Sequence, residues 1–143
     1  MLTKTNSAKE TQKLATEFAK EIKAGGVVCL FGDLGAGKTT FSQAVAKAVG
    51  VKEKVASPTF ILVRRYEIPG NRFFWHVDLY RLNTPEEVKV LGLEEIVNDP
   101  DNVVLIEWPE KILSWLPKNR WEIHLSLTSK NSRTIEINNL LNN

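Results

Sequence analysis

The chain has 143 residues and a net charge of +2. This length is enough for one domain with a full hydrophobic core, and we predict a single domain over residues 1–143. So small a charge gives no argument for a DNA-binding protein, and a single cysteine excludes a disulfide framework. No apolar run reaches membrane-spanning length and no apolar signal region opens the chain, so the sequence predicts a cytoplasmic protein with no membrane partner.

The first predicted element is an amphipathic helix over residues 8–23, in which apolar side chains recur at a spacing of four. Ser7 is a candidate cap for this helix, and a glutamate three residues later completes a capping box. A continuous apolar run at residues 27–31 follows and predicts a buried parallel strand.

The residues after that strand, 32–39, read G-D-L-G-A-G-K-T and match the phosphate-loop template G-x-x-x-x-G-K-[ST]. Glycines let such a loop curl around an anion, with backbone N–H groups pointing at phosphate oxygens. Lys38 can reach the β- and γ-phosphates of a nucleotide, and the Thr39 hydroxyl can ligate Mg²⁺. A helix that ends at Gly50 adds the positive end of its dipole.

The next connection contains the segment Ser57-Pro58-Thr59-Phe60, preceded by a polar stretch at 51–55. A hydroxyl at such a place can sense the γ-phosphate, but an ordinary turn into a strand fits equally well, so both interpretations stay open. Strand-like runs at 61–68 and 72–77, joined by a Pro-Gly-Asn turn, predict an antiparallel hairpin.

Two acidic residues are predicted at strand ends. Asp78 follows the second strand of the hairpin, with His76 on the same face; a lone histidine here is more often packed or exposed than a ligand. The apolar run 103–107 finishes on Glu107, and an acid in that position beside a phosphate loop commonly holds Mg²⁺. We therefore predict Glu107 and Thr39 as metal ligands, and Asp78 as the residue that orients the attacking water.

The remaining elements are short. Thr84-Pro85-Glu86-Glu87 predicts the start of a helix that ends at Gly92, and Glu94 and Glu95 are expected in a solvated turn. A short helix and a second hairpin complete the chain, at residues 110–116, 121–127 and 134–137.

The segments G-D-L-G-A-G-K-T-T-F, S-P-T-F, H-V-D-L-Y-R-L and I-E-W-P-E occur in this order and together resemble the TsaE (YjeE) family, bacterial ATPases of tRNA threonylcarbamoyladenosine synthesis. The similarity implies a three-layer α/β fold of the P-loop type, with a mainly parallel central sheet and antiparallel edge strands. It implies ATP and Mg²⁺ as cofactors. It also implies an accessory ATPase that supports the TsaD–TsaB complex in modifying adenosine 37 of tRNAs reading ANN codons. From the residues themselves, no arginine falls at a position whose spacing fixes it over the γ-phosphate, which predicts an ATPase that is weak without its partners. The net charge of +2 predicts indirect or weak tRNA contact.

The resemblance also implies residue roles. Lys38 matches the phosphate-binding lysine and Asp78 the acid implicated in hydrolysis, while Thr39 and Glu107 match the Mg²⁺ ligands. Nucleotide contacts are implied for Gly32, Asp33, Leu34, Gly35, Ala36, Gly37, Lys38, Thr39, Thr40, Thr59, Trp108, Ser132, Arg133 and Ala8.

Two other functions fit parts of the pattern. A small-molecule kinase has about this size, but it needs a second substrate pocket and usually a basic lid over the phosphates, and no arginine cluster in the sequence marks such a lid. A GTPase-like switch would carry the guanine-reading N-K-x-D or T-K-x-D signature, which the sequence lacks, so ATP is the favoured nucleotide.

Overall fold

The computed structural model describes residues 1–55 and 63–140. Its elements in chain order are β1 (Leu2–Thr5), α1 (Ala8–Ile22), β2 (Gly26–Phe31), α2 (Lys38–Val49), β3 (Val63–Ile68), β4 (Arg72–Asp78), α3 (Glu87–Val90), α4 (Leu93–Asn98), β5 (Val103–Glu107), a 3₁₀ helix (Pro109–Trp115), β6 (Trp121–Leu127) and β7 (Arg133–Asn139).

The strands within the described ranges form one seven-stranded sheet in the order β1-β7-β6-β2-β5-β4-β3. The four central strands, β6, β2, β5 and β4, run parallel, and antiparallel pairs lie at both edges. The two apolar runs of the sequence, β2 and β5, are neighbours at the centre, because a strand covered on both faces needs apolar residues throughout. The predicted fold class is confirmed, and the carboxyl ends of the parallel strands meet at one edge.

Helices cover both faces of the sheet and make the three predicted layers. On one face α1 and α2 build a core that includes Phe18 and Phe41. On the other face α3, α4 and the 3₁₀ helix contribute Leu93 and Ile112 to a second core. Cys29 lies within that second core, and burial raises the pKa of its thiol to about 12, as for a small structural hydrophobe. Of the helices described, none is long and apolar enough to cross a membrane.

The first helix begins as predicted, since the Glu10 N–H donates to Ser7 Oγ at 3.1 Å. The strand before it, β1, was not predicted, because four residues give too short a pattern. β1 pairs antiparallel with β7, and the Met1 amino group donates to the Ile137 carbonyl oxygen at 3.0 Å. This edge strand is therefore stabilised by pairing with β7, which lies far away in the sequence.

The region of α3 and α4 departs from the prediction in two details. The Thr84 N–H donates to the Glu87 carboxylate at 3.1 Å, as in a capping box. The first backbone hydrogen bonds nevertheless join residues three apart, as in a 3₁₀ turn, so the regular α-helix begins only at Glu87. Glu94 and Glu95, expected in a turn, lie in the first turn of α4, where acidic side chains favour the helix dipole.

Candidate functional site

The glycine loop between β2 and α2 forms the floor of the site. Gly37 caps α2 with φ of 99°, which residues with side chains rarely adopt, and a Cβ on Gly32 would lie 2.7 Å from the Leu125 carbonyl oxygen. The Ala36 N–H donates to the Asp33 carbonyl oxygen at 3.1 Å, so a backbone hydrogen bond within the loop stabilises its turn. This path leaves the N-terminus of α2 pointing out of the carboxyl edge of the sheet.

An open cavity of about 470 Å³ lies over this loop. Its walls are Leu34, Gly35, Gly37, Lys38, Thr39, Thr40, Asp78, Tyr80, Arg81, Glu107, Trp108 and Arg133. Arg81 and Arg133 bring positive charge to the cavity, which the spacing of the arginines did not predict. Three predicted loop contacts, Gly32, Asp33 and Ala36, do not line this cavity and border a separate cleft on the other side of the loop.

Lys38, the first residue of α2, is buried, and its Nζ has no hydrogen-bond partner within the described part of the chain. The Nζ atom lies 3.6 Å from the centroid of the Trp108 ring, a cation–π contact, and the Tyr80 ring packs 5.0 Å from Trp108. Burial lowers the pKa of the Lys38 ammonium, and nearby carboxylates, Glu107 first, oppose that shift. A buried ammonium without an acceptor is a donor that a phosphate oxygen can satisfy.

Glu107 ends β5, and the parallel register places Asp78 directly beside it. Its Oε2 atom accepts hydrogen bonds from His76 Nε2 at 2.5 Å and from Ser42 Oγ at 3.3 Å. Ser42 was not predicted, although it lies one helical turn after Lys38 and such a spacing places both on one face of α2. The contact between His76 and Glu107, 31 residues apart, has no local signal in the sequence.

Asp78 is the last residue of β4, so its predicted position at a strand end is confirmed. Its side chain is half-buried. Its Oδ1 atom accepts a hydrogen bond from the Tyr80 N–H at 3.0 Å, which fixes the carboxylate at the cavity wall. Burial raises the pKa of Asp78, and the Tyr80 hydrogen bond opposes that shift. A raised pKa makes the carboxylate a better proton acceptor, so Asp78 can orient and deprotonate a water molecule.

The oxygen donors of the cavity suit Mg²⁺. The Thr39 hydroxyl and the Glu107 carboxylate line it together, and both are hard oxygen ligands. No cluster of three or more His, Cys, Asp or Glu side chains able to hold a metal occurs in residues 1–55 and 63–140. Mg²⁺ commonly binds through one or two protein oxygens and completes its shell with water and phosphate, so this pair fits an ion that arrives with a nucleotide.

The predicted contacts Ser132 and Arg133 lie around the turn between β6 and β7. Arg133 Nη2 donates to the Gly35 carbonyl oxygen at 3.4 Å. The neighbouring Ser132 Oγ donates to Asn6 Oδ1 at 3.0 Å, two residues before Ala8. The structure therefore brings the Ser132 turn and the start of α1 together beside the loop, while their contact with a nucleotide stays a prediction.

Thr59 lies outside the described residues. The connection that leads toward it, 51–55, was expected to be polar, but the structure buries Val51 and Val55 in the core. Gln43 Nε2 also donates to the Val55 carbonyl oxygen at 2.7 Å, so α2 holds this connection in place. Two valines among charged residues give too weak a pattern to predict that packing.

A strand, a glycine loop ending in Lys-Thr and a helix at the carboxyl edge of a parallel sheet define a protein of the P-loop α/β class. A family model described as "Threonylcarbamoyl adenosine biosynthesis protein TsaE" matches residues 5–135, and the chain belongs to the TsaE family. The predicted family is confirmed.

Individual relatives agree with this assignment. The "tRNA threonylcarbamoyladenosine biosynthesis protein TsaE" of Rickettsia typhi is 41% identical over 92% of this chain and 90% of its own length. The protein of the same name from Borreliella burgdorferi is 35% identical over 96% of this chain and 99% of its own. The crystal structure of Bacillus subtilis YdiB superimposes with a TM-score of 0.79 at 30% identity, covering 99% of this chain and 86% of YdiB.

Proposed function

We propose that this protein is a Mg²⁺-dependent cytoplasmic ATPase that supports tRNA threonylcarbamoylation by acting on the TsaD–TsaB complex. The observation that carries the ATPase proposal is the buried Lys38 ammonium, without a hydrogen-bond partner among the described residues, in a cavity also lined by Asp78 and Glu107. Membership of the TsaE family supports the link to tRNA modification.

Each residue of the cavity has a separate task in this proposal. Lys38 exchanges its contact with the Trp108 ring for phosphate oxygens, and the N-terminus of α2 adds its dipole to the attraction. Thr39 and Glu107 would hold Mg²⁺, which would supply positive charge to neutralise the charge that develops on the phosphates. Asp78 orients the attacking water and accepts its proton.

The isolated protein is expected to hydrolyse ATP slowly. Phosphate binding must displace Lys38 from the Trp108 ring, and a phosphoryl-transfer site without an arginine supplied by a partner forgoes about 10³–10⁵ in rate. The TsaD–TsaB pair favours the ATP-bound form, and hydrolysis then releases the complex, a population shift set by differential affinity. With a net charge of +2, contact with tRNA is indirect or weak.

Steady-state ATP hydrolysis with and without the TsaD–TsaB pair tests this proposal, together with pull-down of the pair in ATP, in ADP and without nucleotide. We expect faster hydrolysis with the pair and the strongest association in ATP. Lys38→Ala should abolish hydrolysis, whereas Lys47→Ala, the matched change at an exposed position of the same helix, should not. Equal rates with nucleotide-independent association would contradict the partner role, and transfer of labelled γ-phosphate to a small acceptor would instead identify a kinase.

A further inference from the structure

The buried contact between His76 and Glu107 carries an inference that rests on the proposed function. The two side chains are 1% and 4% exposed, and His76 Nε2 lies 2.5 Å from Glu107 Oε2. A carboxylate oxygen accepts, so the His76 ring donates through Nε2. We propose that His76 is a positioning residue that holds the Glu107 carboxylate in the orientation in which it binds Mg²⁺.

The strand register explains why the ring reaches this carboxylate. In the parallel pair of β4 and β5, Asp78 lies opposite Glu107 and His76 lies opposite Leu105. His76 and Asp78 share one face of β4 because side chains alternate along a strand. The acids therefore meet at the mouth of the cavity, while the histidine sits one step deeper, against the inner side of Glu107.

Of the two donors His76 and Ser42, His76 lies nearer to this carboxylate. The other donor, Ser42 Oγ, lies 3.3 Å from Glu107 Oε2 but only 2.8 Å from the Lys38 carbonyl oxygen. A hydroxyl has one hydrogen, so Ser42 divides it between these two acceptors and favours the nearer carbonyl. His76 and Ser42 both donate to Oε2 of Glu107, which fixes the orientation of the carboxylate. Neither of them bonds to Oε1.

A role in packing alone does not account for His76. Its second ring nitrogen, Nδ1, is buried and has no hydrogen-bond partner in the described part of the chain. An unsatisfied buried polar atom costs about 1–3 kcal/mol, which an apolar side chain would avoid, as Phe74 does two residues earlier on the same face. The hydrogen bond from His76 Nε2 to Glu107 explains why a polar ring stands at this position instead of an apolar side chain. Groups that orient a metal ligand commonly change metal affinity ten- to hundredfold when removed.

Two polar variants separate positioning from packing. His76→Gln places an amide N–H near the position of Nε2, within reach of Glu107, whereas the shorter amide of His76→Asn reaches only the position of Nδ1. ATP binding is measured by calorimetry over a series of Mg²⁺ concentrations and in EDTA. We expect His76→Asn to raise the Mg²⁺ concentration needed for half-maximal affinity about tenfold, and His76→Gln to stay within about threefold of the unaltered protein. Affinity in EDTA should be the same in all three proteins.

Phe74→Leu is the matched packing control, since it removes buried volume on the same face at a position paired with Val103 and not with Glu107. It should lower the melting temperature and leave the Mg²⁺ dependence unchanged. Ser42→Ala removes the weaker donor while the ring stays in place, so the Mg²⁺ requirement should rise by a smaller factor than in His76→Asn.

Several results would overturn the inference. Equal Mg²⁺ dependence in His76→Asn and His76→Gln, or the same shift in Phe74→Leu, would show that the ring only packs. Mg²⁺-dependent binding in the unaltered protein with no shift in His76→Asn would refute the positioning role alone. ATP binding by the unaltered protein that does not respond to Mg²⁺ would refute the proposed function as well.

Discussion

Replacement of Lys38 by methionine is expected to stabilise the nucleotide-free protein and to remove its ATP binding. The ammonium is buried with no hydrogen-bond partner among the described residues, and the Trp108 ring, 3.6 Å from Nζ, offers a cation–π attraction. Methionine has a similar length and no charge, and its sulfur packs well against an aromatic ring. The substitution therefore keeps the packing and removes the charge.

The expected magnitude follows from three terms. Loss of the cation–π contact costs about 2 kcal/mol, and a sulfur–aromatic contact restores about 1 kcal/mol. Burial of an ammonium carries a penalty of several kcal/mol, part of which the nearby carboxylates offset. The net gain in unfolding free energy should be about 1–3 kcal/mol, which for a chain of this length raises Tm by roughly 3–10 °C.

The gain should depend on pH. Burial lowers the pKa of Lys38 below its ordinary 10.5, so between the two pKa values the unfolded chain binds more protons than the folded one. The unfavourable contribution of Lys38 is therefore fully present below its folded pKa and disappears as pH rises toward 10.5. The stability difference between variant and unaltered protein should shrink over that range. Taking the difference cancels the opposite effect of Cys29, whose pKa is raised to about 12.

The assay is urea unfolding followed by circular dichroism, in EDTA and without nucleotide, at several alkaline pH values. Lys47→Met, the same change at an exposed position of α2, is the control and should alter stability by no more than about 0.5 kcal/mol. A Lys38→Met protein less stable than the unaltered one, with no pH trend in the difference, would refute the reasoning about the buried ammonium. Unchanged ATP affinity by calorimetry would refute its role in phosphate binding.

Three further substitutions test how the cavity divides its work. Glu107→Gln should reduce the Mg²⁺-dependent part of ATP affinity about tenfold or more, measured by calorimetry with Mg²⁺ and with EDTA; equal loss in both buffers would remove Glu107 as a metal ligand. Asp78→Asn should bind Mg·ATP normally and lose roughly 10²–10⁴ in turnover with the TsaD–TsaB pair, so a normal rate would exclude Asp78 as the base. Thr39→Ala should lose activity that raised Mg²⁺ partly restores, whereas raised Mg²⁺ should not rescue Lys38→Ala; identical Mg²⁺ titrations would leave no distinct metal role for Thr39.

Elements whose residues are neighbours along the chain can be predicted from local sequence. The glycine loop and the helix that follows it depend on backbone freedom at a few consecutive positions, and the template at 32–39 specifies all of them. The apolar runs of β2 and β5 predict their central place in the sheet, because only strands covered on both faces need such composition. Asp78 and Glu107 were each predicted at the end of a strand, and the parallel register places them at the same edge.

Contacts between residues far apart in the chain depend on how the strands and helices pack together. The bond from His76 to Glu107 depends on the register of β4 against β5, and a shift of one residue would turn the ring to the other face of the sheet. The approach of Trp108 to Lys38 likewise requires β5 to lie beside the strand that precedes the loop. Composition and periodicity specify which face of an element is buried. The side chains that meet across elements are set by strand order and register, which the packing of the whole chain determines.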